Sequence, residues 1–393
     1  MNKCEYAINP QGGTKHMKLM KRLTALLLAL VMLLGMTAAA EDELPDSLDM
    51  EDIVVVDGVA INEAGEEIEG FVIPEELQEV VEILDAEIDD TVDVGSLELN
   101  ENLPDNVINI LLIGIDSRSE ELDESNQHGD VQIIVSINKE EGTIKLTSVL
   151  RDLYVTIPGY KSKNRINVAY QRGGGELAMR TINHNFQMNI EHYVVINFFG
   201  LASIIDSLGG MDIELTKQEA GAINAYIKKH PPKYDNQGDD YERVPLEKVN
   251  GVQHLDGIQA VMYARLRSID NDFARSARQR NLLELLLKKV TEGGMDFDKL
   301  FSLLETCLPY AKTNMSLSDM GSIAMTVLQS GLLDRVAEGG SLLEQNRIPM
   351  DDTWKYDTTD SGASVVVFRT SKRLKENIEA LHEFIYGEYY PAD

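Results

Sequence analysis

Val107-Ile108-Asn109-Ile110-Leu111-Leu112-Ile113 is a nearly continuous apolar run, and it restricts the fold more than any other feature of the chain. A strand with apolar residues at consecutive rather than alternate positions must be covered on both faces. Comparable runs follow at residues 131–137, 143–150 and 193–198. Between and after them, residues 176–186 and 200–208 carry helical spacing. Strands interleaved with helices predict an α/β fold, a three-layer α-β-α sandwich. Asn138-Lys139-Glu140-Glu141-Gly142 reads as a hairpin turn, so some neighbouring strands are antiparallel and the central sheet is mixed. In such sheets, sites form where strands end and loops begin. After residue 293 the pattern changes to helical segments near 297–310 and 317–334, a strand-like stretch at 364–369 and a final helix at 371–385. These predict a smaller C-terminal α/β extension.

Charge, and the change of pattern after residue 292, divide the chain into four parts: 1–40, 41–105, 106–292 and 293–393. Lys15, Lys18, Lys21 and Arg22 precede an apolar run at 23–40 that ends Thr37-Ala38-Ala39-Ala40. That order of basic, apolar and small residues predicts an export signal, or an uncleaved anchor at the short limit of a membrane span. Positive charge before the run and negative charge after it orient the exported body outward in either case. Met17 would open a compact signal. Residues 41–105 read as an acidic linker; no Lys or Arg occurs from Glu41 to Ser117. A formal charge of -30 disfavours nucleic acid as a partner. Cys4 precedes the signal and Cys307 stands alone, so the exported body has no internal disulfide to form.

Against that background, residues 264–280 hold five arginines and only two acidic residues. Guanidinium groups grip phosphate or carboxylate oxygens bidentately and stay charged at any working pH. An extended backbone at Arg265-Leu266-Arg267 would put both arginines on one face, and Arg275 and Arg278 would share a helix face. Three further polar clusters sit at strand ends: Asp116 and Arg118 after the first core strand, His128-Gly129-Asp130 before the second, and Arg151-Asp152 after the third. Either aspartate alone fits a turn or cap. If the first two strands are neighbours, however, Asp116 and Asp130 converge on one cation, and Mg²⁺ takes one or two carboxylates plus phosphate oxygens. No phosphate-binding glycine loop, nucleophile elbow or zinc-spaced His/Cys set is present; Gly173-Gly174-Gly175 lacks the nucleotide-binding spacing. The chemistry predicts a Mg²⁺-carrying, arginine-lined site for a pyrophosphate or sugar phosphate.

In order along the chain, Asn109 to Arg118, Ser148 to Gly159, Lys163 to Tyr170, Phe198-Phe199-Gly200 with Asp206 to Gly210, and the arginine stretch resemble the LytR–CpsA–Psr family of cell-envelope phosphotransferases. The resemblance runs from about residue 109 to 289. It implies transfer of a glycan phosphate from an undecaprenyl-pyrophosphate carrier to the muramic acid 6-hydroxyl of peptidoglycan. The glycan would be teichoic acid, capsule or a related polymer. It also implies Mg²⁺ on Asp116 and Asp130, and pyrophosphate on Arg118, Arg151, Arg265, Arg267 and Arg275, with Arg278 and Gln279 close behind. Arg151 and Asp152 are the expected catalytic pair, Asp152 orienting the acceptor or taking its proton. The helices after Gly174 and Gly200 would shelter the lipid. Alternatives of other classes are a non-catalytic, regulatory binder of lipid-linked precursors and a lipid-pyrophosphate hydrolase. The chain departs from the family in one place: it has His128-Gly129-Asp130-Val131 where Arg-Ser-Asp-Thr is usual. The carboxylate is kept; an arginine and two hydroxyls are not.

Overall fold

A computed structural model describes residues 96–115, 127–229, 243–267, 269, 272–291, 310–316, 343–359 and 361–392, the strands at 54–56, 59–61 and 67–72, and a few positions between 319 and 326. Asp116, Arg118, Cys307 and the apolar run at 23–40 lie outside the described residues. Among the described residues, no helix is long and apolar enough to cross a membrane.

Two compact units are present. In the smaller one, β1 (Val54–Val56), β2 (Val59–Ile61) and β3 (Glu67–Val72) form an antiparallel sheet within the segment read as an acidic linker.

The larger unit is the predicted α/β body. Its centre is β4 (Val107–Ile115), with β5 (Gly129–Asn138) and β6 (Thr143–Val149) antiparallel beside it. Leu111, Ile113 and Ile115 of β4 are fully buried, as the unbroken apolar run requires. Short strands β7 (Tyr154–Val155) and β8 (Asn164–Arg165) lead into α1 (Val168–Phe186). Next come β9 (His192–Asn197), α2 (Phe198–Ser207), β10 (Met211–Leu215), α3 (Lys217–Lys229), β11 (Gly251–Leu255), α4 (Gly257–Arg265) and α5 (Asp272–Thr291). Beyond 293 lie β12 (Ala311–Thr313), β13 (Leu343–Ile348), the hairpin β14 (Trp354–Thr358) and β15 (Ser364–Phe368), and α6 (Ser371–Tyr386).

The central sheet has the order β12-β9-β4-β5-β6-β13. It is mixed: β4/β9 and β6/β13 are parallel, and the other pairs are antiparallel. Residues of the expected C-terminal extension supply both outer strands, and Ile378, Leu381 and Ile385 of α6 join the main core. A second core gathers Ile213, Leu215, Ile223, Leu255 and Tyr263 under α3, α4 and α5. α4 enters through a capping box, in which Asp256 accepts from the Gln259 amide and Gln259 answers to the Asp256 amide. It packs very closely on α2: a Cβ at Gly257 would lie 2.1 Å from the Ala202 carbonyl oxygen, so only glycine fits there.

Candidate functional site

The site forms where β4 and β5 meet the arginine helices. Ile115, the last described residue before Asp116, pairs with Gly129 after a register shift. Glycine at 114 permits this approach, since a Cβ there would be 2.8 Å from that of Val131. Asp130 follows directly, and three donors surround its carboxylate. Arg151 Nη1 lies 3.0 Å and Arg267 Nη2 3.4 Å from Oδ2, while the Asn167 amide donates to Oδ1 at 3.2 Å. Burial pushes the Asp130 pKa up, but the charge of Arg151, the Asn167 hydrogen bond and Arg267 outweigh it, and the net direction is down. Burial acts on Arg151 in the opposite sense to Asp130, Asp152 and Asp272, whose charges prevail and raise its pKa. Asp152 extends the chain of charge, 3.3 Å from Arg151 Nε and 3.5 Å from Arg165 Nη1.

A cavity of about 320 Å³ opens beside Asp130. Arg265, Arg267, Arg275 and Gln279 line it with Asp130 on the polar side, and Val131, Phe198, Tyr226, Met262 and Leu266 on the apolar side. Arg265 ends α4 and stacks over the Phe198 ring at 4.2 Å. Arg275 is 3% exposed; burial, then the charges of Arg151 and Arg267, lower its pKa to about 10 despite Asp272 at 2.6 Å. A guanidinium held this way among other guanidiniums is stabilised by an incoming anion.

The sequence expectations resolve residue by residue. Arg265 and Arg267 share the cavity, but not through an extended backbone: Arg265 is helical, and the chain leaves the helix at Leu266 (φ -55, ψ 126). Arg275 and Gln279 line the cavity; Arg278 does not. Its guanidinium donates to the Leu266 carbonyl at 2.7 Å and faces Glu219 at 3.6 Å, and so holds the turn that carries Arg267. Arg151 and Asp152 stand behind Asp130 rather than in the cavity wall. Of the two helices expected to shelter lipid, α2 supplies Phe198, while α1 puts Ala178, Met179, Ile182 and Phe186 into the core.

Sequence reasoning missed Asn167 as a site residue. It is 3% exposed, and its backbone ties the site together: its N–H donates to the Arg151 carbonyl and its carbonyl accepts from Gly129, both at 3.2 Å. Its Oδ1 is buried without a hydrogen-bond partner. The available signal was an amide between Ile166 and Val168, because a buried amide needs partners. With the Asp130 carboxylate, that oxygen makes a donor set suited to a hard cation. Among the described residues there is no cluster of three or more His, Cys, Asp or Glu that could hold a metal.

Fold and site together define an α/β protein with an arginine-lined, half-apolar anion cavity at the ends of its central strands. The LytR_cpsA_psr family model matches residues 76–370, and the chain belongs to that family. It is 29% identical over 233 residues to the polyisoprenyl-teichoic acid–peptidoglycan teichoic acid transferase TagU of Enterococcus faecalis, covering 59% of this chain and 68% of that protein. It is 28% identical over 232 residues to the transferase of the same description, TagV, of Bacillus subtilis, covering 58% of this chain and 54% of that protein. The chain thus spans little more than half the length of TagV in sequence. The B. subtilis TagV crystal structure superposes with a TM-score of 0.53 at 23% identity, over 74% of this chain and 100% of that one. The LytR-CPS2A-psr family protein YwtF (TagT), with bound octaprenyl pyrophosphate lipid, superposes with a TM-score of 0.50 at 21% identity, over 73% and 96%.

Proposed function

We propose that the protein transfers a glycan phosphate from an undecaprenyl-pyrophosphate carrier to the muramic acid 6-hydroxyl of peptidoglycan, on the outer face of the cytoplasmic membrane. The observation that carries this reading is the cavity's division into a wall of cations, including buried Arg275, and an apolar wall. A lipid pyrophosphate has the same division. The teichoic acid transferase names of the relatives and the octaprenyl pyrophosphate in TagT support the substrate class.

Arg265, Arg267 and Arg275 grip the pyrophosphate oxygens, and the apolar wall takes the first part of the prenyl chain. The acceptor oxygen bonds to the glycan-side phosphorus as the bond to the bridging oxygen breaks, and undecaprenyl phosphate leaves. Asp152, fixed by Arg151 and Arg165, receives the hydroxyl proton. The arginines offset charge building on the bridging oxygen, the main contribution to phosphoryl transfer. Mg²⁺ on Asp130, with Asp116, would add positive charge at the same phosphates.

Incubation of the protein with lipid-pyrophosphate glycan, Mg²⁺ and peptidoglycan fragments tests the reading. Covalent transfer is expected, with Arg151→Ala at least 100-fold slower (about 2.7 kcal/mol or more of lost transition-state stabilisation). Release of glycan without transfer would identify a hydrolase. Tight binding without turnover would identify a regulatory binder.

A further inference from the structure

Arg151 stands between two carboxylates, Nη1 on Asp130 and Nε on Asp152, so the charged centre continues beyond the cavity wall. There the β14–β15 hairpin touches it at two independent points. The Val366 amide donates to the Asp152 carbonyl at 2.9 Å. The Trp354 ring lies 4.6 Å from that of Phe273, which sits two residues before Arg275 in the first turn of α5. From Trp354 the row continues edge-to-face to Tyr356 at 5.0 Å. Phe273 and Trp354 are half-buried, whereas Tyr356 is 57% exposed. Trp354 pairs across the hairpin with Phe368 and Tyr356 with Val366, so these side chains share one face. Arg369 Nε donates to the Trp354 carbonyl at 2.8 Å and fixes the strand.

We propose that this aromatic row is the acceptor subsite, on which exposed Tyr356, backed by core-packed Trp354, stacks a sugar ring of a peptidoglycan glycan strand. The inference rests on the phosphotransfer reading. In-line displacement requires the attacking oxygen to arrive opposite the leaving one. Undecaprenyl phosphate leaves toward Phe198 and Met262, so the acceptor enters from the side of Asp152, where the hairpin stands. A pyranose offers a C–H face to the electron-rich face of an aromatic ring, and the Tyr356 hydroxyl gives that platform a polar tip. The stem peptides of uncrosslinked glycan strands end in free carboxylates. The adjoining run Arg369-Thr370-Ser371-Lys372-Arg373 has three cations; Lys372 and Arg373 face Glu376 at 3.9 and 2.6 Å, so Arg369 is the cation that matches an anionic glycan.

Trp354 is the single tryptophan of the chain, so its emission reports on this face alone. Soluble uncrosslinked glycan strands, titrated into the full chain without lipid donor, should shift that emission saturably. Vesicles of anionic phospholipid should not. Tyr356→Ala should raise the half-saturating glycan concentration at least fivefold while melting at the same temperature and binding lipid-pyrophosphate glycan as before. In transfer assays it should raise the acceptor KM by a similar factor and leave kcat within twofold. An emission that ignores glycan, or responds only to vesicles, overturns the subsite. So does a Tyr356→Ala protein that transfers with unchanged acceptor KM, and that result leaves the phosphotransfer reading standing. Saturable glycan binding in a protein that never transfers does the reverse.

Discussion

Arg275 shows how a single residue stores the capacity to bind. Its side chain is 4% exposed, and burial, then the charges of Arg151 and Arg267, lower its pKa to about 10. That shift corresponds to about 3 kcal/mol against the charged form. The group stays protonated at neutral pH, so an arriving phosphate relieves the tension. Asp130 is the counterpart. A folded-state pKa below the ordinary value means that its stabilisation is fully present above about pH 4 and is lost as pH falls through the folded value. Asp130→Asn is expected to cost about 2 kcal/mol at pH 7 and nothing at low pH, once the native carboxylate is itself protonated. Thermal melts of both proteins from pH 2 to pH 7 measure this; a loss that is constant across the range would contradict it. At this scale the arginines were legible because they violate the charge of the chain around them. Asn167 was not, because a lone asparagine looks the same in sequence whether it caps a turn or bridges three site segments.

At the scale of elements, α5 does two jobs along one helix. Its first turns present Arg275 and Gln279 to the cavity, and its next turn anchors it to the sheet. Arg280 donates to Ser148 Oγ at 2.8 Å and Gln345 Oε1 at 3.0 Å, clamping the helix to the parallel pair β6 and β13. Burial and the neighbouring Arg347 lower its pKa. Arg280→Ala should therefore destabilise the protein by about 3 kcal/mol. Denaturant unfolding measures the loss, and pyrophosphate affinity below the melting temperature should stay within about twofold. If affinity falls with stability, Arg280 is not confined to anchoring. The sequence reading put Arg275 and Arg278 on one helix face but did not divide the arginines of α5, since Arg275, Arg278 and Arg280 differ only in what the fold sets opposite them.

At the scale of the whole molecule, the end of the chain completes the sheet. β12 covers β9 and β13 covers β6, while α6 buries Ile378, Leu381 and Ile385 against the main core. A chain ending at residue 310 would expose β6 and β9 as unpaired edges and uncover that core. Such a truncation is expected to aggregate or to lose its cooperative melt, as size-exclusion chromatography and circular dichroism would reveal. A soluble, cooperatively folded fragment would count against this view of the C-terminal segment.

The sequence by itself determined the class of fold, because consecutive apolar residues in β4 allow only a strand covered on both faces. It also made an anion the expected ligand, because guanidinium groups massed in an acidic chain suit phosphate or carboxylate oxygens. Tertiary structure alone decided which arginines face that anion, that Asn167 joins Asp130 to Arg151, and that an aromatic hairpin from the far end of the chain stands beside Asp152. These depend on contacts between residues as far apart as Asp152 and Val366, and such pairings leave no local pattern in composition or periodicity to be read.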